Sequence, residues 1–130
     1  MQKPHILIVE DSPIAQMVLK QQMTDAGCIV DLASDGNSAM EQAQAIKYDI
    51  ILMDIGLGDG PDGFETTQFI LSNSKLNTAT PIMAISANSE PDYKEKATSI
   101  GMVGYFTKPF TPAHAKAVMN FLENTKKADS

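Results

Sequence analysis

The sequence contains no arginine, a single cysteine and no apolar run as long as a membrane-spanning helix, which needs about 20 residues. All ten basic residues are lysines, and against sixteen acidic residues they leave a net charge of -6 at pH 7. Phosphate contacts supply most of the affinity for nucleic acid, so an acidic chain without arginine is a poor candidate for binding it. Anionic membrane surfaces are unfavourable for the same reason, and we expect no direct membrane contact.

The length and the cysteine usage bound the domain count and the compartment. A chain of 130 residues that is 43% hydrophobic can form one buried core but not two. We expect a domain over residues 4–124 and a disordered polar tail over residues 125–130. One cysteine excludes an internal disulfide and fits a reducing compartment. Residues 1–4 leave no room for a signal peptide, so we expect a cytoplasmic location.

Five short apolar runs alternate with segments of helical periodicity. A run that is apolar throughout is typical of a strand buried on both faces of a parallel sheet. The predicted strands span residues 6–9, 29–33, 49–53, 82–85 and 104–106. The predicted helices span residues 13–26, 37–47, 64–72, 91–100 and 112–124. This alternation predicts an α/β fold with a parallel sheet, right-handed crossovers and helices on both faces.

The first predicted helix carries four apolar residues at roughly helical spacing, Ile14, Met17, Val18 and Met23. Such a stripe is typical of the face that a helix turns toward the core, so we expect these side chains to be buried. Cys28 follows this helix among apolar neighbours. We interpret it as a small buried hydrophobic residue.

Polar side chains of complementary chemistry stand at the carboxyl ends of four predicted strands. Glu10 and Asp11 follow the first strand, Asp54 the third, Ser86 the fourth and Lys108 the fifth. The carboxyl ends of parallel strands share one edge of the sheet, and ligands bind in the crevice there. We therefore expect three acids, one hydroxyl and one amine to converge on a single pocket.

A pocket of this composition suits a divalent cation and a phosphoryl group. Two like charges about 4 Å apart repel by ~4 kcal/mol at an effective dielectric of about 20, so Glu10, Asp11 and Asp54 together require a cation or protonation. Mg²⁺ fits best, with Mn²⁺ as an alternative, because it combines carboxylate ligands with waters and phosphate oxygens. Asp54 is placed to attack phosphorus, while Lys108 and Ser86 could contact phosphate oxygens.

Each of these residues also has an ordinary structural interpretation. Glu10 and Asp11 could stabilise the N-terminus of the first helix, where carboxylates are favourable. Asp54 could be a turn residue before the glycines that follow it. Ser86 alone would most often be a cap or turn hydroxyl, and Lys108 alone would be unremarkable. Their combination at strand ends is what favours a shared phosphoryl site.

The chain resembles a response regulator receiver domain of two-component signalling. The resemblance covers about residues 4–124 and depends on four stretches in order, whose combination is specific although each alone is weak. They are Ile6-Leu7-Ile8-Val9-Glu10-Asp11-Ser12-Pro13, Leu52-Met53-Asp54-Ile55-Gly56-Leu57, Ile85-Ser86-Ala87 and Gly104-Tyr105-Phe106-Thr107-Lys108-Pro109-Phe110. The resemblance implies a doubly wound, flavodoxin-like sheet of five parallel strands in the order 2-1-3-4-5, with five helices.

The resemblance also implies a role for each site residue. Asp54 would be the phosphoacceptor, and Mg²⁺ would be held by Asp54, by the acids at positions 10 and 11, and by the backbone carbonyl of Gly56. Ser86 would be the switch hydroxyl, and Tyr105 the switch aromatic that moves with it. Lys108 would pair with the acceptor and then with the phosphate, and its bond to Pro109 is expected to be cis.

The implied partner is a histidine kinase or a histidine-phosphotransfer domain that donates its phosphoryl group. Phosphorylation would then change a surface formed by the fourth helix, the fifth strand and the fifth helix. The motif style is similar to receivers attached to hybrid sensor kinases, so an attached kinase core is expected. A free single-domain regulator is the alternative. Such a domain is not an enzyme, although it supports its own phosphorylation and autodephosphorylation.

The loop after Asp54 departs from the receiver pattern. Gly58 stands where many receivers have proline, and the loop to Asp62-Gly63 is about one residue longer. The loop also matches the dinucleotide-binding pattern G-x-G-x-x-G. That match follows the third strand rather than the first, and its acids would repel a pyrophosphate, so we set nucleotide binding aside.

Two further functions remain as alternatives. The first is a Mg²⁺-dependent phosphatase of the haloacid dehalogenase type, with an aspartate nucleophile. That class needs a second aspartate two residues after the first, where this chain has Gly56. The second is a binding module that has the receiver fold but works without phosphorylation. The presence of Asp11, Asp54 and Lys108 argues against it.

Overall fold

A computed structural model describes residues 3–129 of the protein, with side chains described for residues 3–125. Expectations that concern residues 1, 2 and 130 lie outside this range. The strands are β1 (His5–Val9), β2 (Ile29–Ala33), β3 (Ile50–Asp54), β4 (Ile82–Ser86) and β5 (Gly104–Thr107). The helices are α1 (Pro13–Asp25), α2 (Gly36–Ala45), α3 (Gly63–Asn73), α4 (Pro91–Ser99) and α5 (Pro112–Asp129).

All neighbouring strands are parallel, and their order is β2-β1-β3-β4-β5. The predicted fold is therefore confirmed as a doubly wound, flavodoxin-like sheet with five helices. The apolar run of β3 lies at the centre and is buried over its full length. The more alternating β2 lies at the edge, where one side of the strand lacks a neighbour.

Side chains on the two faces of the sheet form two separate cores, because successive residues of a strand point to opposite faces. Leu7 and Ile51 belong to the core that contacts α2, α3 and α4. Ile6 and Ile50 belong to the core that contacts α1 and α5. Both sets are fully buried, which explains why these strands are apolar throughout rather than alternating.

Side-chain caps fix where three of the helices begin. The hydroxyl of Ser12 accepts a hydrogen bond from the amide of Ala15, and Pro13, whose missing N–H needs no partner there, starts α1. Asp35 caps α2 in the same way. Asp62 caps α3 and forms a reciprocal capping box with Glu65. These caps hold the first turns of the helices near the carboxyl edge of the sheet.

The prediction of a buried stripe on α1 was wrong for three of its four residues. Met23 is fully buried, but Ile14, Met17 and Val18 are 77%, 72% and 45% exposed. Leu19 takes their place in the core that contacts α5. The stripe has helical spacing because it forms one continuous apolar face, but that face points to solvent. Cys28, by contrast, is buried as predicted.

The polar segment between α3 and β4 is packed into the protein and is not an open linker. Ser74 and Asn77 are fully buried, and Thr80 is nearly so. The amide group of Asn77 donates to the carbonyls of Ala43 and Ile46, at 2.5 and 2.8 Å. It thereby satisfies carbonyls at the C-terminal end of α2, which have no partner within the helix.

Helix α5 continues to Asp129, past the predicted end near residue 124. The extension is rich in lysine and alanine, which are good helix formers, and it contains no glycine or proline. The disordered tail expected over residues 125–130 stays a prediction. The limits of the domain itself, residues 4–124, remain a prediction. Within residues 3–129, no helix is both long enough and apolar enough to cross a membrane.

Candidate functional site

The sheet brings the residues expected at strand ends to one edge. Asp54 is the last residue of β3 and pairs in register with Ile85, the residue before Ser86 at the end of β4. Glu10 directly follows β1, the neighbour of β3 on the other side. The backbone N–H of Lys108 donates to the carbonyl of Ser86 at 2.7 Å, which fixes the amine-bearing residue beside β4.

The three carboxylates form a compact acidic group. One oxygen from each of Glu10, Asp11 and Asp54 lies within 4.8 Å of the others. Glu10 is fully buried and Asp54 is 3% exposed, whereas Asp11 faces solvent. Hard oxygen donors at this separation, open to solvent on one side, match the preference of Mg²⁺ for a few carboxylates together with waters. The residues present therefore fit a divalent cation.

The amine of Lys108 bridges two of these acids. Its Nζ lies 2.7 Å from Glu10 Oε1 and 3.2 Å from Asp54 Oδ2. Burial acts to lower the pKa of Lys108, but the hydrogen bond to Glu10 and the charges of both carboxylates outweigh it and raise that pKa. The amine is therefore charged at neutral pH and offsets part of the repulsion among the acids.

Ser86 and Gly56 lie in the same cavity as the acidic group. The hydroxyl oxygen of Ser86 accepts a hydrogen bond from the amide of Asn88 at 3.0 Å. The amide of Gly56 donates to Asp54 Oδ1 at 2.9 Å, which orients the carboxylate from the side opposite to Lys108. The expected roles of Ser86 as a switch hydroxyl and of the Gly56 carbonyl as a metal ligand stay predictions.

Two further expectations concern β5 and the residues after it. The peptide bond between Lys108 and Pro109 is cis, as predicted. Tyr105 is half-buried on β5, and its hydroxyl donates to the carbonyl of Asn88 in the loop after β4. The ring therefore lies beside the segment that leaves Ser86, and its movement as a switch stays a prediction.

The cavity has a wall that the sequence interpretation missed. The cavity measures about 510 Å³. The wall that lies away from the acids is formed by Phe64 on α3 and by Tyr93 and Lys96 on α4. The Lys96 amine lies 4.6 Å from the centroid of the Phe64 ring. Tyr93 and Lys96 are three residues apart, which places them on one face of α4. This spacing is the feature of the sequence that could have indicated the wall. The wall supplies a second amine to the cavity.

The loop after β3 contacts the acidic group through its backbone. The N–H of Gly58 donates to Asp11 Oδ2 at 3.1 Å. A Cβ on residue 58 would lie 3.2 Å from the same oxygen, so the loop passes close to the carboxylate. Composition alone cannot reveal this contact, because every residue except proline has a backbone N–H.

An apolar surface adjoins the site on the side of α1. Beside the exposed residues Ile14, Met17 and Val18, a groove of about 410 Å³ lies between α1 and the segment after β5. Pro109 and Phe110 line the groove, and Lys108 reaches it from the acidic cavity. The acidic group thus lies next to a solvent-exposed apolar surface.

Comparison with known proteins gives consistent similarities. The sequence profile of the response regulator receiver domain matches residues 6–120. The transcriptional activator protein IrlR of Burkholderia pseudomallei is 34% identical over 105 residues, which are 81% of this chain and 44% of the activator. Hybrid signal transduction histidine kinase B of Dictyostelium discoideum is 36% identical over 114 residues, 80% of this chain and 6% of the kinase. The chain thus spans less than half of the length of either relative.

A solved structure shows the same fold in a related protein. The receiver domain of a sensor histidine kinase from Pseudomonas aeruginosa PAO1 is 32% identical, with a TM-score of 0.80 over 95% of this chain and 97% of that chain. In that protein a magnesium ion is coordinated in the active site cleft. Receiver domains are signalling domains of two-component systems rather than enzymes in the ordinary sense. From the profile match and these relatives, the chain belongs to the family of response regulator receiver domains.

Proposed function

We propose that Asp54 accepts a phosphoryl group from a phosphohistidine of a histidine kinase or of a histidine-phosphotransfer domain. The observation that carries this proposal is the position of Lys108, whose amine contacts both Glu10 and Asp54 at the edge of a solvent-open cavity. A carboxylate that faces an open cavity and has a fixed cation beside it is suited to nucleophilic attack on phosphorus.

The proposed step transfers one PO₃ unit without a net change in its oxidation state. An oxygen of Asp54 forms a bond to phosphorus, and the phosphorus–nitrogen bond of the donor breaks. The electron pair of that bond returns to the donor imidazole. Lys108 stays within reach of the acceptor oxygens and stabilises the negative charge that spreads over the transferred group. The hydroxyl of Ser86 can turn from the Asn88 amide to an oxygen of the phosphoryl group.

Glu10, Asp11 and Asp54, with the backbone carbonyl of Gly56, would hold Mg²⁺ in the proposed site. When bound, the ion supplies charge neutralisation at the phosphoryl oxygens. The protein's own contribution is to keep the carboxylates oriented. The amide of Gly56 holds one oxygen of Asp54, and Lys108 holds the other. Hydrolysis of the aspartyl phosphate at the same site would reset the domain.

The apolar surface beside the cavity supports a protein as the phosphoryl donor. A small-molecule donor would leave the side chains of Ile14 and Met17 exposed to water, whereas a helix of a protein donor could bury them. The groove that Phe110 lines leads from this surface to the amine of Lys108. A donor bound there would bring its histidine to the open side of the cavity.

The proposed output surface comprises α4, β5 and α5. Phosphorylation adds about -1.5 to -2 charge at neutral pH, which attracts Lys108 and Ser86 toward Asp54. Because Asn88 contacts both the Ser86 hydroxyl and the Tyr105 hydroxyl, a rotation of Ser86 changes what holds Tyr105 in place. The change then reaches β5 and α4 through the tyrosine ring, over which the Lys94 amine lies at 5.8 Å.

Phosphorylation with a small donor tests the acceptor directly. The wild-type protein is incubated with Mg²⁺ and phosphoramidate, whose phosphorus–nitrogen bond mimics that of phosphohistidine, and the mass of the intact protein is measured. We expect a gain of one PO₃ group in the wild type and none in Asp54→Asn. Asp59→Asn is the matched control, because it makes the same chemical change in the adjacent exposed loop, outside the cavity lining.

Each outcome decides between the candidate functions. Uptake in Asp59→Asn but not in Asp54→Asn supports the acceptor role. Uptake that persists in Asp54→Asn contradicts it. A folded wild-type protein that takes up no phosphoryl group from either phosphoramidate or a phosphorylated phosphotransfer domain would be a binding module. Release of phosphate from unrelated phosphate esters would instead support the phosphatase alternative.

A further inference from the structure

We propose that the backbone N–H of Gly58 positions Asp11 for the metal, so that the loop after β3 is part of the metal site. This inference rests on the proposed function, because it assumes that Asp11 is a ligand. It assigns a role to the position at which this chain departs from other receivers. There a proline would have no N–H to donate.

The geometry gives this amide a direct contact with a proposed ligand. The N–H of Gly58 donates to Oδ2 of Asp11 at 3.1 Å, although the two residues are 47 positions apart in the sequence. A carboxylate has two oxygens and about four acceptor positions, so one amide leaves room for a metal. The bond therefore restrains the direction of the carboxylate without occupying it.

Asp11 needs such a restraint more than the other two acids do. Glu10 and Asp54 are buried, and Lys108 holds both of them. Asp11 is exposed, and a free aspartate at a surface samples several rotamers, whose loss on metal binding costs affinity. An amide that selects one orientation beforehand removes part of that cost. The amide hydrogen also brings a partial positive charge to a group of three acids.

Glycine is the residue that best allows this contact. A Cβ at position 58 would lie 3.2 Å from Asp11 Oδ2, closer than ordinary van der Waals contact. Alanine keeps the N–H but crowds the carboxylate, whereas proline crowds it and lacks the N–H. The difference between Gly58→Ala and Gly58→Pro therefore isolates the hydrogen bond from the crowding.

The test measures Mg²⁺ binding by calorimetry on the full chain, with no phosphoryl donor present. We expect Gly58→Pro to bind Mg²⁺ about three- to tenfold more weakly than Gly58→Ala, which corresponds to the net value of one solvent-exposed hydrogen bond. Circular dichroism and thermal unfolding establish that both variants are folded. Equal or tighter binding by the proline variant overturns the inference.

A spectroscopic test keeps the inference falsifiable if the proline variant does not fold. In ¹H–¹⁵N spectra of the wild type, the Gly58 amide should exchange slowly with solvent and its resonance should shift during a Mg²⁺ titration. Gly27, in the turn after α1, serves as the internal control and should not shift. The inference is overturned if the Gly58 amide exchanges with solvent as fast as an amide in an unstructured chain, or if its resonance does not shift during the Mg²⁺ titration.

The outcomes separate this inference from the proposed function. If the wild type binds Mg²⁺ and the two variants bind it equally well, only the role of Gly58 is wrong. If the wild type binds no Mg²⁺, the metal part of the proposed function is wrong, and the role of Gly58 is wrong with it.

Discussion

The hydroxyl of Tyr105 donates a hydrogen bond to the backbone carbonyl of Asn88, and it thereby joins β5 to the loop that follows β4. The amide of the same Asn88 donates to the hydroxyl oxygen of Ser86. One residue of the loop is thus held from two sides, by the proposed switch hydroxyl and by the proposed switch aromatic.

Replacing Tyr105 with phenylalanine should loosen the loop after β4 without unfolding the protein. We expect faster amide exchange at residues 88–90 and a loss of about 1 kcal/mol in the free energy of unfolding, the net value of one hydrogen bond. Hydrogen exchange read by mass spectrometry measures the first effect. Tyr93→Phe is the control, since its hydroxyl makes no hydrogen bond within the described residues. Unchanged exchange in Tyr105→Phe would contradict the proposed tether.

Replacing Lys108 with methionine should destabilise the metal-free protein. Glu10 is fully buried and would lose its cation, and we expect the free energy of unfolding to fall by about 1–3 kcal/mol. Mg²⁺ should restore more stability to this variant than to the wild type, because the ion takes over the missing charge compensation. Urea unfolding with and without Mg²⁺ measures both effects. Lys20→Met, on the exposed side of α1, should change neither.

Replacing Gly63 with alanine should disturb the backbone of the proposed acceptor. A Cβ at this position would lie 2.3 Å from the carbonyl oxygen of Asp54 and 2.7 Å from the Cα of Ile55. One of the two segments must move, and we expect a loss of about 1–3 kcal/mol in stability together with weaker phosphoryl uptake. For comparison, Gly56→Ala places its Cβ at an ordinary 3.7 Å from the nearest atom. Similar unfolding free energies for the two variants would argue against a close approach.

Replacing Asn77 with alanine should be among the most destabilising changes outside the site. The side chain bonds two carbonyls at the end of α2, and its oxygen accepts from the amide of Tyr48 and the hydroxyl of Thr80. One of the two carbonyls and the Thr80 hydroxyl each keep a second partner, so two of these groups are left without one. Each such group costs about 1–3 kcal/mol, and we expect a total of about 2–6 kcal/mol. Asn73→Ala, which removes a single exposed hydrogen bond, is the control in urea unfolding.

The stability of the protein should fall at alkaline pH because of Tyr48. Burial raises the pKa of Tyr48, and the hydrogen bond and negative charge of Asp31 raise it further. The folded state thus holds the phenol proton more tightly than the unfolded state. The resulting stabilisation is complete below the pKa of an unfolded tyrosine, about 10, and is lost as the pH rises toward the higher pKa of the folded state.

Urea unfolding at several pH values from about 8 to 11 measures this loss. The decline above about pH 10 should be shallower in Tyr48→Phe than in the wild type. That variant should also lose about 1 kcal/mol at neutral pH, because the hydroxyl bonds Asp31 at 2.9 Å. Parallel curves for the wild type and Tyr48→Phe would contradict the prediction.

Much of the sheet and the positions of the site residues could be predicted from the sequence. Uninterrupted apolar runs mark strands covered on both faces, and the first polar residue after each run marks the carboxyl edge. Glu10, Asp54 and Ser86 follow this rule, and Lys108 comes one residue after Thr107, the first polar residue beyond the fifth run. The strand order and the convergence of these residues at one edge are confirmed, because burial and strand ends are visible in residue type. The chemical role of each residue stays a prediction.

Where the sequence prediction failed, composition did not determine burial. Ile14 and Met17 have the spacing of residues on the core-facing side of a helix. An apolar face that is exposed to solvent has the same spacing, so the pattern cannot distinguish the two. Asn77 and Ser74 lie in a polar segment, yet both are buried because they donate hydrogen bonds to a carbonyl at the end of α2 that has no partner within the helix. The contact of Gly58 with Asp11 involves a backbone group and leaves no trace in residue type.

The order in which the strands follow one another in the chain has a consequence during synthesis. Glu10, Asp11 and Asp54 leave the ribosome more than fifty residues before Lys108, and β5 is the last strand to be added, at the far edge of the sheet. Until then the nascent polypeptide carries the three mutually repelling acids without the one amine that contacts two of them in the folded protein. Synthesis of β5 and of the residues after it completes the sheet and supplies Lys108 at the same time, so the acidic site gains its edge strand and its counter-charge together.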